Sequence, residues 1–127
     1  LTMICANPDK IVRRGNQIVY CAGAIAEIYE RDQGRVLMAG KPFQPIYELA
    51  LQRAAELRKT PAGKDDVVAI GDGPDTDIAG AARFGLDCVL ITGGVSDAAL
   101  SQEAVEREVR SRIPQARIVL VQRDLHW

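Results

Sequence analysis

From Val36 onward the chain reads strand, helix, strand, helix, strand, helix, strand, and this alternation limits the available folds more than any other feature. The strands are Arg35 to Ala39, Val67 to Ile70, Cys88 to Ile91 and Ile118 to Val121. Between them, helical spacing runs from Pro45 to Arg58, Ile78 to Phe84 and Asp97 to Arg112. Val67-Val68-Ala69-Ile70 has no polar member, as expected of a strand covered on both faces. Strands joined through helices pair in parallel, with right-handed crossovers and helices packed on the sheet. The expected fold class is therefore α/β, with a parallel sheet and flanking helices. Ligands in such sheets bind beyond the carboxyl ends of the strands.

Ahead of this pattern, the apolar run Thr2 to Ala6 stops at Asn7-Pro8-Asp9, a turn sequence. Ile11 to Arg14 and Gln17 to Tyr20 flank Gly15-Asn16 and read as a hairpin. Ala22 to Arg31 reads as a helix with Ile25, Ile28 and Tyr29 on one face. In the next helix, Ile46, Leu49, Ala50, Ala54 and Leu57 recur at helical spacing. Gly85 is placed to close the helix that ends at Phe84.

Composition removes several function classes. The net charge is -1 and the basic residues are dispersed, so no nucleic-acid surface is expected. No apolar run approaches the ~20 residues of a membrane span. Cys5, Cys21 and Cys88 are far apart and form no CxxC pair, which argues against a zinc site or disulfide framework and fits a reducing, cytoplasmic setting. The single histidine, His126, lies at the C-terminus, a poor place for the base of a Ser or Cys nucleophile. The text opens inside the apolar run at Leu1, which reads as a cut end with more chain expected upstream.

The most informative stretch is Val67 to Asp77, VVAIGDGPDTD. Asp72, Asp75 and Asp77 crowd the mouth of a buried strand, with Gly71 and Gly73 allowing a tight turn. Crowded carboxylates repel one another unless a cation sits among them, and Mg2+ takes such oxygen ligands. Turn chemistry is the competing reading, with Asp77 as a helix cap and Asp75 as a turn residue. The GxGxxG spacing of a dinucleotide loop fails, because Thr76 stands where the third glycine belongs. Lys41, in Gly40-Lys41-Pro42, follows a strand and precedes a helix, so it either faces the same crevice or is a solvated surface lysine. Thr92-Gly93-Gly94-Val95-Ser96 and Asn7-Pro8-Asp9 read first as turns.

Lys41, followed about thirty residues later by GDGPDTD, resembles the third and fourth motifs of the haloacid dehalogenase (HAD) superfamily. The wording is similar to the branch of NagD-like sugar phosphatases and p-nitrophenyl phosphatases. AGKPFQPIYELAL and IGDGPDTDIAGAARFGLDCVLITGGVS carry most of the likeness, while ANPD and VYCAGAIAEIYE look like the end of that branch's inserted cap. The resemblance implies half of a HAD-type Rossmannoid core plus the C-terminal remnant of an α/β cap. Residues 1–39 would be cap and residues 40–127 core.

By position, the likeness implies that Asp72 ligates Mg2+ and that Asp77 holds the metal's waters or neighbouring ligands. Lys41 would steady the attacking aspartate and the phosphate. Asn7 and Asp9 would line the substrate pocket. Gly73, where many relatives carry Asn, removes a polar side chain for which Asp75 could compensate. The superfamily's first motif, which supplies the nucleophilic aspartate, has no counterpart ahead of Lys41. Neither does the second, which supplies a phosphate-binding Thr or Ser. In a complete enzyme an aspartate attacks phosphorus and water then hydrolyses the aspartyl-phosphate. This chain is accordingly expected to be a Mg2+-dependent hydrolase of a small phosphorylated metabolite in full-length form, and inactive alone. Two rival readings stand beside it: an association module that self-assembles through an open sheet edge or the cap, and a Rossmann-like nucleotide binder.

Overall fold

The chain folds as two units, Leu1–Ile46 and Tyr47–Trp127. The computed structural model describes residues 1–15, 17–93 and 100–126. Among the described residues no helix is long and apolar enough to cross a membrane.

The first unit contains β1 (Thr2–Cys5), β2 (Ile11–Arg14), β3 (Gln17–Tyr20), α1 (Ala22–Arg31) and β4 (Arg35–Met38). β2 and β3 pair antiparallel, Ile11 opposite Tyr20 and Arg14 opposite Gln17. Gly15 takes the positive φ, 57°, that such a tight turn requires. β1 and β4 pair in parallel, Thr2 opposite Arg35 and Cys5 opposite Met38. The Ala39 N–H extends that ladder by donating to the Cys5 carbonyl at 2.9 Å. The α/β class expected from the alternation holds, with one correction. β4 does not open the sheet formed by the later strands; it pairs with β1 in a two-stranded sheet. Alternation counts strands without fixing their partners, and β1 is an equally short apolar strand.

The apolar face of α1 is largely open, and a face of small residues is the one that packs. Ile25 and Ile28 are 61% and 59% exposed, whereas Gly23 and Ala26 are buried. The small face wins because the Asn7–Asp9 turn approaches it at backbone distance. The Gly23 N–H donates to the Asp9 carbonyl at 3.0 Å, and a Cβ at Gly23 would run into the Pro8 carbonyl.

The second unit opens within α2 (Gln44–Arg58) and continues through β5 (Val68–Gly71), α3 (Ala79–Phe84), β6 (Asp87–Ile91), α4 (Gln102–Arg112) and β7 (Arg117–Gln122). Its sheet has the order β5-β6-β7, all parallel. Ile78, Leu90 and Val109 are its most deeply buried large side chains. Each contributes about 1.5–3 kcal/mol by leaving water. Gly85 closes α3 as expected, in the left-handed conformation at φ 79°, and Leu86 N–H then returns to the Ala81 carbonyl at 2.9 Å. The Ser101 side chain caps α4 by accepting the Ala104 N–H; the expected start of that helix at Asp97 lies outside the described residues.

α2 is apolar on two sides, and only one of them is covered. Tyr47 is buried and Leu51 packs on the core. The expected stripe is open instead: Ile46, Leu49 and Leu57 are 38%, 48% and 84% exposed. The three cysteines are free; Cys5 and Cys88 are buried as small apolar groups and Cys21 is half-buried at the start of α1.

Candidate functional site

The GDGPDTD loop is built by close approach more than by unusual backbone angles. β5 ends at Gly71, and Asp72, half-buried, is the first residue beyond it. Pro74–Ile78 then form one π-helical turn leading into α3, a local widening of the helix that recurs at functional positions. The Asp77 side chain folds back over the loop, and its Oδ2 accepts the Gly73 N–H at 3.0 Å. The Gly73 carbonyl in turn accepts the N–H groups of Asp77 and Ile78 at 2.8 and 3.1 Å. A Cβ at Gly71 would collide with the Cβ and Cγ of Asp77, and one at Gly73 with the Thr76 hydroxyl. Gly71 is therefore required by the space that Asp77 occupies, whereas a side chain at Gly73 would need the Thr76 hydroxyl to turn aside. The cap expected of Asp77 takes another form, since its carboxylate turns backward onto Gly73 and α3 has no side-chain cap at Ile78.

Asp75 points elsewhere. Its two carboxylate oxygens accept from Arg112 Nη2 at 2.6 and 2.8 Å, in the last turn of α4. Arg112 also reaches Glu108 at 3.4 Å. The hydrogen bond and charge of Asp75 raise the Arg112 guanidinium further above its ordinary value. Asp75 thus ties the loop to α4. Both partners are exposed, 45% and 78%, and exposed pairs contribute little. Arg112→Ala is expected to lower stability by less than about 1 kcal/mol in urea unfolding.

Tyr47 was unmarked by sequence logic, being one ring among the apolar residues of α2. It stacks on Phe84 with centroids 5.4 Å apart, and Lys64 Nζ lies 4.3 Å from the centre of the Phe84 ring. Burial pushes the Tyr47 phenol up, and the negative charge of Asp77 pushes it the same way. The other residue that sequence reasoning missed is Arg112. Its only local signal was a Glu four residues earlier, a common helix pair.

In the first unit, Lys41 is exposed in the turn after β4, with a cis peptide to Pro42. The neighbouring Gly40 lies against the Ala6 carbonyl and the Pro8 ring, so the structure brings the GKP segment to the Asn7–Asp9 turn. That turn is closed by Asn7 Oδ1 accepting the Asp9 N–H at 3.1 Å. Asn7 and Asp9 are exposed. Gly93 packs on the Arg123 carbonyl and donates to it at 2.8 Å; the rest of the expected Gly94-Val95-Ser96 turn lies outside the described residues.

Among the described residues, no three acidic, His or Cys side chains gather around one point. A magnesium ion does not require three. It is commonly held by one or two carboxylates together with waters and substrate phosphate oxygens. Asp72 follows the end of β5, and the Asp77 carboxylate is held by the Gly73 N–H in the same loop.

Residues 38–120 match the model of the family described as HAD-hydrolase-like. The chain belongs to the HAD-hydrolase-like family. No curated protein sequence matches it. Among solved structures, this HAD-hydrolase-like chain is similar to a haloacid dehalogenase-like family hydrolase from Brucella suis 1330, at 41% identity and a TM-score of 0.71 over 99% of the chain. It is also similar to a double mutant of the thermostable NPPase from Geobacillus stearothermophilus, at 25% identity and a TM-score of 0.69 over 98% of the chain. A glycerol phosphate phosphatase from Mycobacterium tuberculosis, solved in complex with magnesium, shares the fold at 22% identity and a TM-score of 0.67 over 96% of the chain. The chain spans 45%, 44% and 33% of the lengths of these three proteins.

Proposed function

We propose that the chain is the C-terminal portion of a Mg2+-dependent phosphate-monoester hydrolase acting on a small phosphorylated metabolite. The observation that carries this reading is the GDGPDTD loop itself: Asp72 stands at the mouth of β5, and Asp77 is locked against the Gly73 N–H. Family membership and the NPPase neighbour support it.

In this reading Asp72 ligates the cation and Asp77 orients the groups around it. When bound, Mg2+ neutralises charge on the phosphoryl group and on its attacking oxygen. Lys41 supplies a mobile positive charge toward the phosphate, while Asn7 and Asp9 line the substrate side. The nucleophilic aspartate comes from a segment outside these 127 residues.

The chain alone, incubated with p-nitrophenyl phosphate and Mg2+, is expected to show no turnover; activity that survives purification and tracks Asp72→Asn contradicts the partial-machine reading. Joined behind the portion of the Brucella suis hydrolase that it does not cover, the chain is expected to release phosphate in a Mg2+-dependent way. A folded chimera with no such activity sinks the phosphatase assignment.

A further inference from the structure

Surface loops are usually the more mobile parts of a protein, yet the Asn7–Asp9 turn is held at every residue. The Cys5 thiol donates to the Asn7 carbonyl at 3.2 Å. Asn7 Oδ1 accepts the Asp9 N–H at 3.1 Å, and the Asp9 carbonyl accepts the Gly23 N–H at 3.0 Å. Pro8, the middle residue, is half-buried, and both Gly23 and Gly40 beside it are buried. Its carbonyl takes the space that a Cβ at Gly23 would need, and its ring takes the space of one at Gly40.

The second of these glycines directly precedes Lys41. The Phe43 N–H donates to the Gly40 carbonyl at 2.9 Å and closes the turn that carries Lys41. The proline ring fixes φ at about −65°, so the bridge between the two turns is stiff at its centre. Asn7 and Asp9 are polar and exposed, so their fixed placement is no by-product of apolar burial.

We propose that Pro8 is a positioning residue: wedged between Gly23 and Gly40, it holds the Asn7–Asp9 turn and the Lys41 turn as one block. The groups on the substrate side and the charge on the phosphate side then keep a fixed spacing. This inference rests on the reading of Lys41, Asn7 and Asp9 as substrate-facing. Pro8 touches no substrate; it acts through the backbone on either side. A misplacement of about 1 Å in a group that orients substrate costs up to roughly a hundredfold in rate.

Hydrogen exchange of the chain tests the block without any activity. Pro8→Ala removes the ring and adds no bulk. It is expected to speed exchange of the Gly23 and Phe43 N–H groups together. The Gly34 N–H, which donates to the Tyr29 carbonyl at 2.8 Å just past α1, should keep its rate. Faster exchange at Gly23 with Phe43 unchanged shows two independent turns and overturns the inference. Equal acceleration at Gly34 marks a general loosening of the unit and overturns it too. In the chimera described above, Pro8→Ala is expected to raise KM and lower kcat, with kcat/KM down at least roughly tenfold. A fall in kcat at unchanged KM marks a smaller active fraction and contradicts a positioning role; a change in KM alone rejects the link to Lys41. An inactive parent chimera sinks the phosphatase reading and the role of Pro8 with it, whereas an active parent that Pro8→Ala leaves unchanged rejects Pro8 alone.

Discussion

Gly71→Ala is expected to destabilise the second unit by about 1–3 kcal/mol and to dislodge the Asp77 side chain. The added methyl would meet Asp77 at its Cβ and Cγ, close to the backbone, where the side chain cannot swing clear. Relief has to come from moving Asp77 off the Gly73 N–H or from shifting the end of β5. The first breaks the loop's own lock, and the second strains a strand already paired to β6 from Val68 to Gly71. Gly63→Ala is the matched control. A Cβ there meets only Asp66 Oδ2 at an ordinary 3.6 Å, and the Gly63 N–H can still donate to that oxygen at 2.8 Å. Its effect should stay within about 0.5 kcal/mol. Urea unfolding of both variants makes the comparison, and equal costs at Gly71 and Gly63 would show that the close approach to Asp77 does not matter.

Asp72→Asn should have the opposite profile, with little effect on folding and a large effect on binding. The residue is half-buried and lies one position past β5, outside the apolar cluster that holds the unit together. Stability is expected to change by less than about 1 kcal/mol, as for most substitutions away from a core. An amide oxygen carries no formal charge, so a cation held mainly by this group loses its principal attraction. Mn2+ affinity should fall at least roughly a hundredfold, the upper end of what losing an outer-sphere partner does. Asp75→Asn supplies the internal comparison, because Asp75 is engaged by Arg112. Cation binding should be unaffected there. Equal losses at positions 72 and 75 would point to diffuse attraction by an acidic loop.

These contrasts follow from what was and was not legible in the amino-acid order. Cys88 to Ile91 was readable as a buried strand because its apolar run is continuous, and Gly85 as a helix stop because the left-handed conformation favours glycine. Val67 to Ile70 was readable as a strand by the same signal, but its burial on both faces was not borne out: Val68 and Ile70 are 48% and 40% exposed. The acidic loop at a strand mouth was readable from spacing alone. The packed faces of α1 and α2 were not, since each helix carries apolar residues on two sides and local periodicity does not say which is covered. In α1 the deciding fact was the approach of the Pro8 carbonyl to Gly23. The partner of β4 was hidden for a related reason, as pairing is a long-range choice between similar short strands. Asp75 could be seen as a turn residue or a ligand, but its bond to Arg112 joins residues 37 positions apart, and no local pattern announces it. Tyr47 was hidden among the apolar residues of α2, because its stack on Phe84 joins residues far apart in the chain.

A divalent cation at the mouth of β5 should be visible by anomalous diffraction from crystals of the chain grown with Mn2+. The expected result is a peak at coordination distance from the Asp72 carboxylate, with Asp77 still turned onto the Gly73 N–H. Mn2+ ordered elsewhere on the chain, with none at Asp72, would contradict it.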